Sequence, residues 1–287
     1  MSETLDSAAT FAPHRARLVR IAYRMLGSVA EAEDMVQEAY LRWHQADRAS
    51  VANAQAFLSK VVTRLCLDHL KSARVQRETY IGPWLPEPVV EPASQDDADD
   101  LTFALMTTLE RLSPLERAAF LLHDVFGMEF DEVAAAIGRD PAACRQLASR
   151  ARTHVRAARP RFPVSPEQGR NIANAFFAAA RQGDMVGLQQ LLADDVIFYS
   201  DGGGKKTAAR KPISGRDKVL RLLEAFTHYS GYDSPQLLYD GDIDGLPGFV
   251  TREQDGTLQT MAFVLEEGRI STIYVVRNPD KLRHLQN

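Results

Sequence analysis

The run Ile137-Gly138-Arg139-Asp140-Pro141 stops one helical pattern and starts another within a few residues, so the two helices must turn against each other. Upstream, Phe130, Val133, Ala134 and Ile137 recur at helical spacing, and Gly138 can adopt the left-handed backbone that ends a helix. Downstream, Asp140 is placed to cap a second helix, and Pro141 stands at its first position, where a missing N–H does no harm. Leu147, Ala148, Ala151 and Val155 give that helix an inner side, while Arg145, Gln146, Ser149, Arg150, Arg152 and Arg156 point outward. This is the pattern of a helix-turn-helix with a basic outer helix. The plain alternative is a helical hairpin with solvated arginines. Against it, arginines run from Arg139 to Arg161 with Asp140 as the only carboxylate, in a chain whose net charge is −4. A basic stripe on an acidic chain is a local device for phosphates. Its DNA-facing candidates are Arg139, Pro141, Ala142, Arg145, Gln146, Ser149, Arg150 and Arg152.

At 287 residues the chain exceeds a usual single domain, so two or three cores are expected. No apolar run is long enough to span a bilayer, and Met1-Ser-Glu-Thr-Leu-Asp6 lacks the regions of a secretory signal. A cytoplasmic protein without membrane contact is the expectation. Cys66 and Cys144 are too few for a zinc site and suggest no disulfide framework, and no cofactor is called for. Cys66 reads as buried packing, Cys144 as partly exposed.

The N-terminal part reads as helices. One runs from Phe11 to about Leu26; a second begins near Ala30, apolar on one face and acidic on the other through Glu31, Glu33, Asp34 and Glu38. After a polar loop, His44 to Asn53, a long helix from about Ala54 to Tyr80 turns basic with Arg64, Lys71, Arg74 and Arg77. Residues 81–104 form a linker whose first half, Gly82-Pro-Trp-Leu-Pro-Glu-Pro88, is too rich in proline for a helix, and whose second half is acidic. Trp84 and Leu85 side by side call for burial.

Beyond Pro166 the pattern changes. Helices are expected over Glu167 to Gln182, Met185 to Leu192 and Arg216 to Tyr229. Strands are expected over Val196 to Tyr199, Gly248 to Arg252, Leu258 to Leu265 and Ile270 to Arg277, with turns at Asp255-Gly256 and Glu267-Gly268. Helices followed by an antiparallel sheet make an α+β domain over residues 167–287.

Asp34-Met-Val-Gln-Glu-Ala-Tyr-Leu-Arg-Trp43, Ala56 to Arg74, and Leu112-Ser-Pro-Leu-Glu-Arg-Ala-Ala-Phe-Leu-Leu-His123 resemble, in order, the conserved regions of extracytoplasmic-function sigma factors. Leu192 to Lys205 and Val276-Arg-Asn-Pro-Asp-Lys-Leu282 resemble the SnoaL-like branch of the cone-shaped fold that includes ketosteroid isomerase. With Trp84-Leu-Pro-Glu-Pro88 they are similar to the SigJ-like subgroup, which carries such an extension. The resemblance implies a helical region 2 domain (residues 1–80), a helix-turn-helix region 4 domain (105–162) and a SnoaL-like, NTF2-like α+β domain, acting together as a promoter-specific subunit of RNA polymerase. It implies that core polymerase docks on Asp34, Gln37, Glu38, Leu41 and Trp43, and that Asn53, Arg64, Lys71, Arg74 and Arg77 face the −10 element of promoter DNA. The outer helix would read the −35 element. Trp43 and Phe57 have packing as their commoner role, and His69 reads as a satisfied helix histidine.

For the third domain the expected role is control in cis. Asp201-Gly202-Gly203-Gly204-Lys205 would meet Trp84, Leu85, Pro86, Glu87 and Pro88, with Glu87 opposite Lys205 and with Asn278, Pro279, Asp280, Lys281 and Leu282 closing the contact. A flexible surface hairpin is the bland alternative. A small-molecule-binding pocket or an enzyme remains open, with Asp194, Asp195, Asp201 and His228 as its acid–base groups. Asp194 and Asp195, at a helix-to-strand junction, have capping as their commoner role.

Overall fold

In this computed structural model the described residues are 2–90, 102–158, 164–228 and 235–286. The acidic half of the linker, Arg161 and Tyr229 lie outside them. Two compact units emerge, and the chain alternates between them: Met1–Glu78 with Thr108–Ala158, and Thr79–Thr107 with Arg159–Asn287. The linker is therefore counted with the C-terminal unit. Among the described residues no helix is long and apolar enough to cross a membrane.

The first unit is all-helical. α1 (Ser2–Leu26), α2 (Val29–Gln45) and α3 (Ala54–Glu78) pack around Leu18, Ile21, Met25, Val36, Leu58 and Val62. Ser28 caps α2 by accepting from Glu31 N, and Asn53 Oδ1 accepts from Ala56 N at the start of α3. After α4 (Phe103–Leu109), which is counted mostly with the second unit, α5 (Pro114–Phe120) opens with a capping box between Ser113 and Glu116 and runs into a wider turn, Leu121–Val125. α6 (Phe130–Ile137) stops at Gly138, whose φ is 70°. α7 (Pro141–Ala158) starts with Asp140 Oδ1 accepting from Ala143 N at 2.8 Å.

The second unit is a six-stranded sheet covered on both faces. α8 (Pro166–Gln182), α9 (Met185–Leu191) and α10 (Arg216–His228) accompany β1 (Leu192–Asp201), β2 (Ile213–Ser214), β3 (Gln236–Ile243), β4 (Leu246–Arg252), β5 (Leu258–Glu266) and β6 (Arg269–Val276). The spatial order is β2-β1-β6-β5-β4-β3, with β1 and β6 parallel and the other pairs antiparallel. On one face Phe198, Phe249, Phe263, Ile273 and Val275 pack with Ala173 and Phe176 of α8 and with Val219 and Leu223 of α10. On the other, Val250, Ala262, Val264, Tyr274 and Val276 pack with Leu85 of the linker, Phe103 and Ala104 of α4, and Leu282. Side chains alternate along a strand, so a sheet buried on both faces reads as unbroken apolar runs such as Met261 to Leu265. Sequence reading misses β2 and β3. β3 carries Asp240, Gly241 and Asp242, which read as turn residues, and has a bulge between Leu237 and Tyr239.

Candidate nucleic-acid and linker sites

On α7 the inner side is Cys144, Ala148, Ala151 and Val155; Cys144 is fully buried, which corrects the expectation of partial exposure. Burial pushes its thiol pKa up, as it does for Cys66. Arg139, Ala142, Arg145, Gln146, Ser149, Arg150 and Arg156 are exposed. Arg145 stacks over the Phe130 ring, 5.4 Å from its centroid, which ties the outer helix to α6. Two arginines are less free than the sequence suggests. Arg152 Nε donates to Asp124 Oδ1 at 2.6 Å, and Arg150 lies 3.7 Å from Glu116. The carboxylates missing from the α7 sequence are supplied by the preceding helical turn and by α5, so Arg150 and Arg152 are engaged while Gln146, Ser149 and Arg156 stay exposed.

On α2, Asp34, Gln37 and Leu41 are exposed and Glu38 is half-buried, Leu41 being 47% exposed despite its apolar side chain. Trp43 is not part of that surface. It is 3% exposed, donates to Thr10 Oγ1 at 3.2 Å and packs on Phe57. His69 pairs with Glu31 at 3.3 Å. Lys71 is exposed and pairs with Asp68. Arg74 and Arg77 lie on α3, with side chains outside the described set.

Arg64 departs further from expectation. Its guanidinium donates to Ala135 O at 3.1 Å and Ala136 O at 3.3 Å, capping the negative end of α6. Arg17 donates to Phe126 O, and the buried Arg117 to Met25 O and Leu109 O. Main-chain carbonyls thus accept arginines across the two helical regions of this unit.

In the second unit Asp201, with no exposed surface, ends β1. Its Oδ1 accepts from Tyr80 O–H at 2.6 Å and Gly203 N–H at 3.0 Å; its Oδ2 accepts from Leu85 N–H at 2.9 Å and Lys281 Nζ at 2.8 Å. A carboxylate has about four lone-pair positions, and all are filled. Lys281 also donates to Leu85 O and faces the Trp84 ring, 3.9 Å from its centroid. Asn278 Nδ2 donates to the Tyr80 phenol oxygen, Oη, at 2.9 Å, and His284 Nε2 donates to Pro88 O at 2.8 Å. A Cβ on Gly203 would fall 2.2 Å from Asn278 Nδ2, and one on Gly202 would fall 2.1 Å from Lys206 O, so both positions need glycine. Leu85 and Leu282 are buried in the adjoining core, and Glu87 is also buried. Lys205 pairs with Asp280, not with Glu87, because the loop turns it toward the C-terminal segment.

Sequence reasoning missed two members of this cluster. Tyr80 was assigned to the end of a helix; burial and the Asp201 carboxylate push its pKa well above the ordinary phenol. Asp244, at φ 44° in the β3–β4 turn, accepts from Val89 N–H through Oδ2 and donates its own N–H to Val89 O, both near 2.9 Å, and its carbonyl accepts from Phe103 N–H. An Asp-Gly pair before an apolar run was the available signal. Of the other acid–base candidates, Asp194 pairs with Arg216, Asp195 is exposed, and the His228 side chain is outside the described set.

A helical unit with a basic helix-turn-helix, joined to an α+β sheet domain that holds the intervening linker, is the arrangement of a DNA-binding transcription factor. The comparisons agree. The Sigma-70 region 2 family matches residues 10–75, and Sigma-70, region 4 matches residues 102–155. The chain is 40% identical to the ECF RNA polymerase sigma factor SigJ of Mycobacterium tuberculosis, over 93% of this chain and 90% of the relative. It is 36% identical to the probable ECF RNA polymerase sigma factor SigI of that organism, over 100% and 98%. The crystal structure of Mycobacterium tuberculosis SigJ superposes with a TM-score of 0.78 at 37% identity, covering 96% of this chain and 98% of that one. The chain belongs to the extracytoplasmic-function (ECF) RNA polymerase sigma factors.

Proposed function

We propose that the chain joins core RNA polymerase, directs initiation at promoters of its own class, and is controlled in cis by the grip of its third domain on the linker. The observation that carries this reading is the Asp201 cluster, which ties Tyr80 and Leu85 of the linker to Lys281 and Asn278 near the end of the chain. Burying Leu85 and Phe103 contributes roughly 1.5–3 kcal/mol each. The exposed Asp34, Gln37 and Leu41, with Glu38, are the polymerase-facing surface in this proposal. The first turns of α7, with Arg145 and Gln146, read the −35 element. Lys71, Arg74 and Arg77 serve the −10 side, and Arg64 joins them only after leaving α6. One face of the third domain's sheet is filled by Phe176, Phe249 and Phe263, and Asp201 is saturated by four hydrogen bonds, which favours a structural controller over a catalyst.

The test is in vitro transcription with core polymerase over a promoter library, comparing the intact chain with Trp84→Ala, Asp201→Ala and a chain ending at Arg277. Removing everything after Arg161 is a poorer comparison, because Leu85 and Phe103 would lose their cover. Altered output in the three variants, with linker protection from hydrogen exchange lost, is the expected result. Output and protection equal to those of the intact chain in all three would make the domain a passenger.

A further inference from the structure

A cavity of about 280 Å³ opens where the linker leaves α3, between Ile81-Gly82 on one side and Gly204, Lys206, Ala209 and Arg210 on the other. It is a cleft open on one side, with space for one ring and a small head group that reaches solvent. Its one large apolar side chain is Ile81. Ile81 is 55% exposed, unusual for so large an aliphatic side chain, and leans over Gly204, where a Cβ would fall 2.9 Å from Ile81 Cδ1. Its rim is cationic. Lys206 is held by Asp255, whereas the exposed Arg210 and its neighbour Lys211 have no carboxylate partner among the described residues. Uncommitted cations beside the Ile81 side chain match an amphiphilic anion, with the ring on Ile81 and the charge at Arg210.

We propose that this cavity binds a small organic anion, an aryl or short-chain phosphate or carboxylate, and that the occupant fastens the linker to the third domain. The coupling follows from the lining: Ile81 and Gly82 belong to the linker, next to Tyr80, and residues 204–210 belong to the loop that begins at Asp201. Anything seated on both favours the held linker over the released one by its differential affinity. The effect on transcription rests on the proposed function above; the binding does not.

Phenyl phosphate, the probe, is titrated into the full-length chain by ligand-observed NMR, with inorganic phosphate and phenol as its two halves. Saturable binding is expected, weakened roughly tenfold by Arg210→Glu and by Ile81→Asn, and unchanged by Lys218→Glu, an equal charge reversal on α10 outside the cavity. Slower hydrogen exchange at Leu85 should accompany occupancy. No saturable binding overturns the proposal. So does equal weakening by Lys218→Glu, or inorganic phosphate binding as well as the whole probe, which would mean an adventitious ion only. Binding without slower exchange at Leu85 overturns the fastening role. Binding and slower exchange with unchanged promoter output would instead refute cis control and leave the site standing.

Discussion

Lys281→Met tests the linker grip at its most buried point. Lys281 and Asp201 are 8% and 0% exposed at their side chains, with Nζ 2.8 Å from Oδ2. Methionine keeps most of the length and the apolar stem but deletes the charge, so Asp201 stays buried facing only N–H and O–H donors. Breaking one side of a buried ion pair costs about 3–5 kcal/mol. The contact with the Trp84 ring, on the order of 2 kcal/mol when desolvated, is part of that figure and does not add to it. With a urea slope of about 2 kcal/mol per molar, the midpoint of the second unit should fall by roughly 1.5–2.5 M. The chain has two tryptophans, so in a Trp43→Phe background the fluorescence of Trp84 reports the linker directly. Combining Lys281→Met with Asp201→Asn should recover at least ~1 kcal/mol relative to additivity. A single-variant loss below ~1 kcal/mol, or strict additivity, would refute the claim that this pair holds the linker.

Tyr80 gives a pH test. Its folded-state pKa is raised, so its contribution is fully present below the unfolded value of about 10 and is lost as pH rises above that. Alkaline titration of stability should be steeper for the intact chain than for Tyr80→Phe, whose own loss at neutral pH should be about 1–2 kcal/mol. In DNA binding, Gln146→Ala should change sequence preference at one −35 position by about 1–3 kcal/mol, whereas Arg156→Ala should weaken all sequences alike and flatten the salt dependence; an unprotected −35 region in footprinting would refute both. Reversing charge at Asp34 and Glu38 together should reduce core polymerase binding and leave binding of −35 DNA intact, as measured by holoenzyme assembly and gel shift.

Much of the fold was legible because local signals were strong. Gly138, Asp140 and Pro141 fixed the helix-turn-helix junction, and the runs from Met261 to Leu265 and from Ile273 to Val276 announced strands. What could not be read was the cover of the second sheet face, since nothing in those runs says that Leu85, more than a hundred residues upstream, lies against them. The linker motif and the glycine loop were legible as needing partners, yet the pairing of their charges was not. Lys205 goes to Asp280 and Lys281 to Asp201, an exchange set by loop geometry alone. On the DNA-facing helices, outward periodicity was readable. That Arg64, Arg150 and Arg152 find acceptors on other elements was not, because those acceptors are a helix terminus and side chains far away in sequence.

The arginine contacts inside the helical unit bear on why a gripped linker would control a sigma factor. Arg64 of α3 reaches the carbonyls of α6 within 3.3 Å, so the helix expected at the −10 element and the helix-turn-helix expected at the −35 element touch each other. On B-DNA those elements lie about 25 base pairs apart, roughly 85 Å at 3.4 Å per pair. Under the proposed assignment of the two elements, helices held in this contact would not reach both sites, and engagement would require them to separate. The chain that must span the gap is Thr79–Thr107, which could reach roughly 100 Å if fully drawn out. Tyr80, Leu85, Val89 and Phe103 are held to the sheet domain by Asp201 and Asp244, which shortens the stretch of chain left to extend. Two consequences separate this account from one in which the third domain merely adds stability. Weakening the Asp201 cluster should matter most on promoters with long spacers, where the span is greatest. Arg64→Ala, which frees α6 without touching the linker, should leave that spacer dependence unchanged. Output from a panel of promoters differing only in spacer length decides the matter: a uniform change across the panel would show that linker reach is not what the third domain controls.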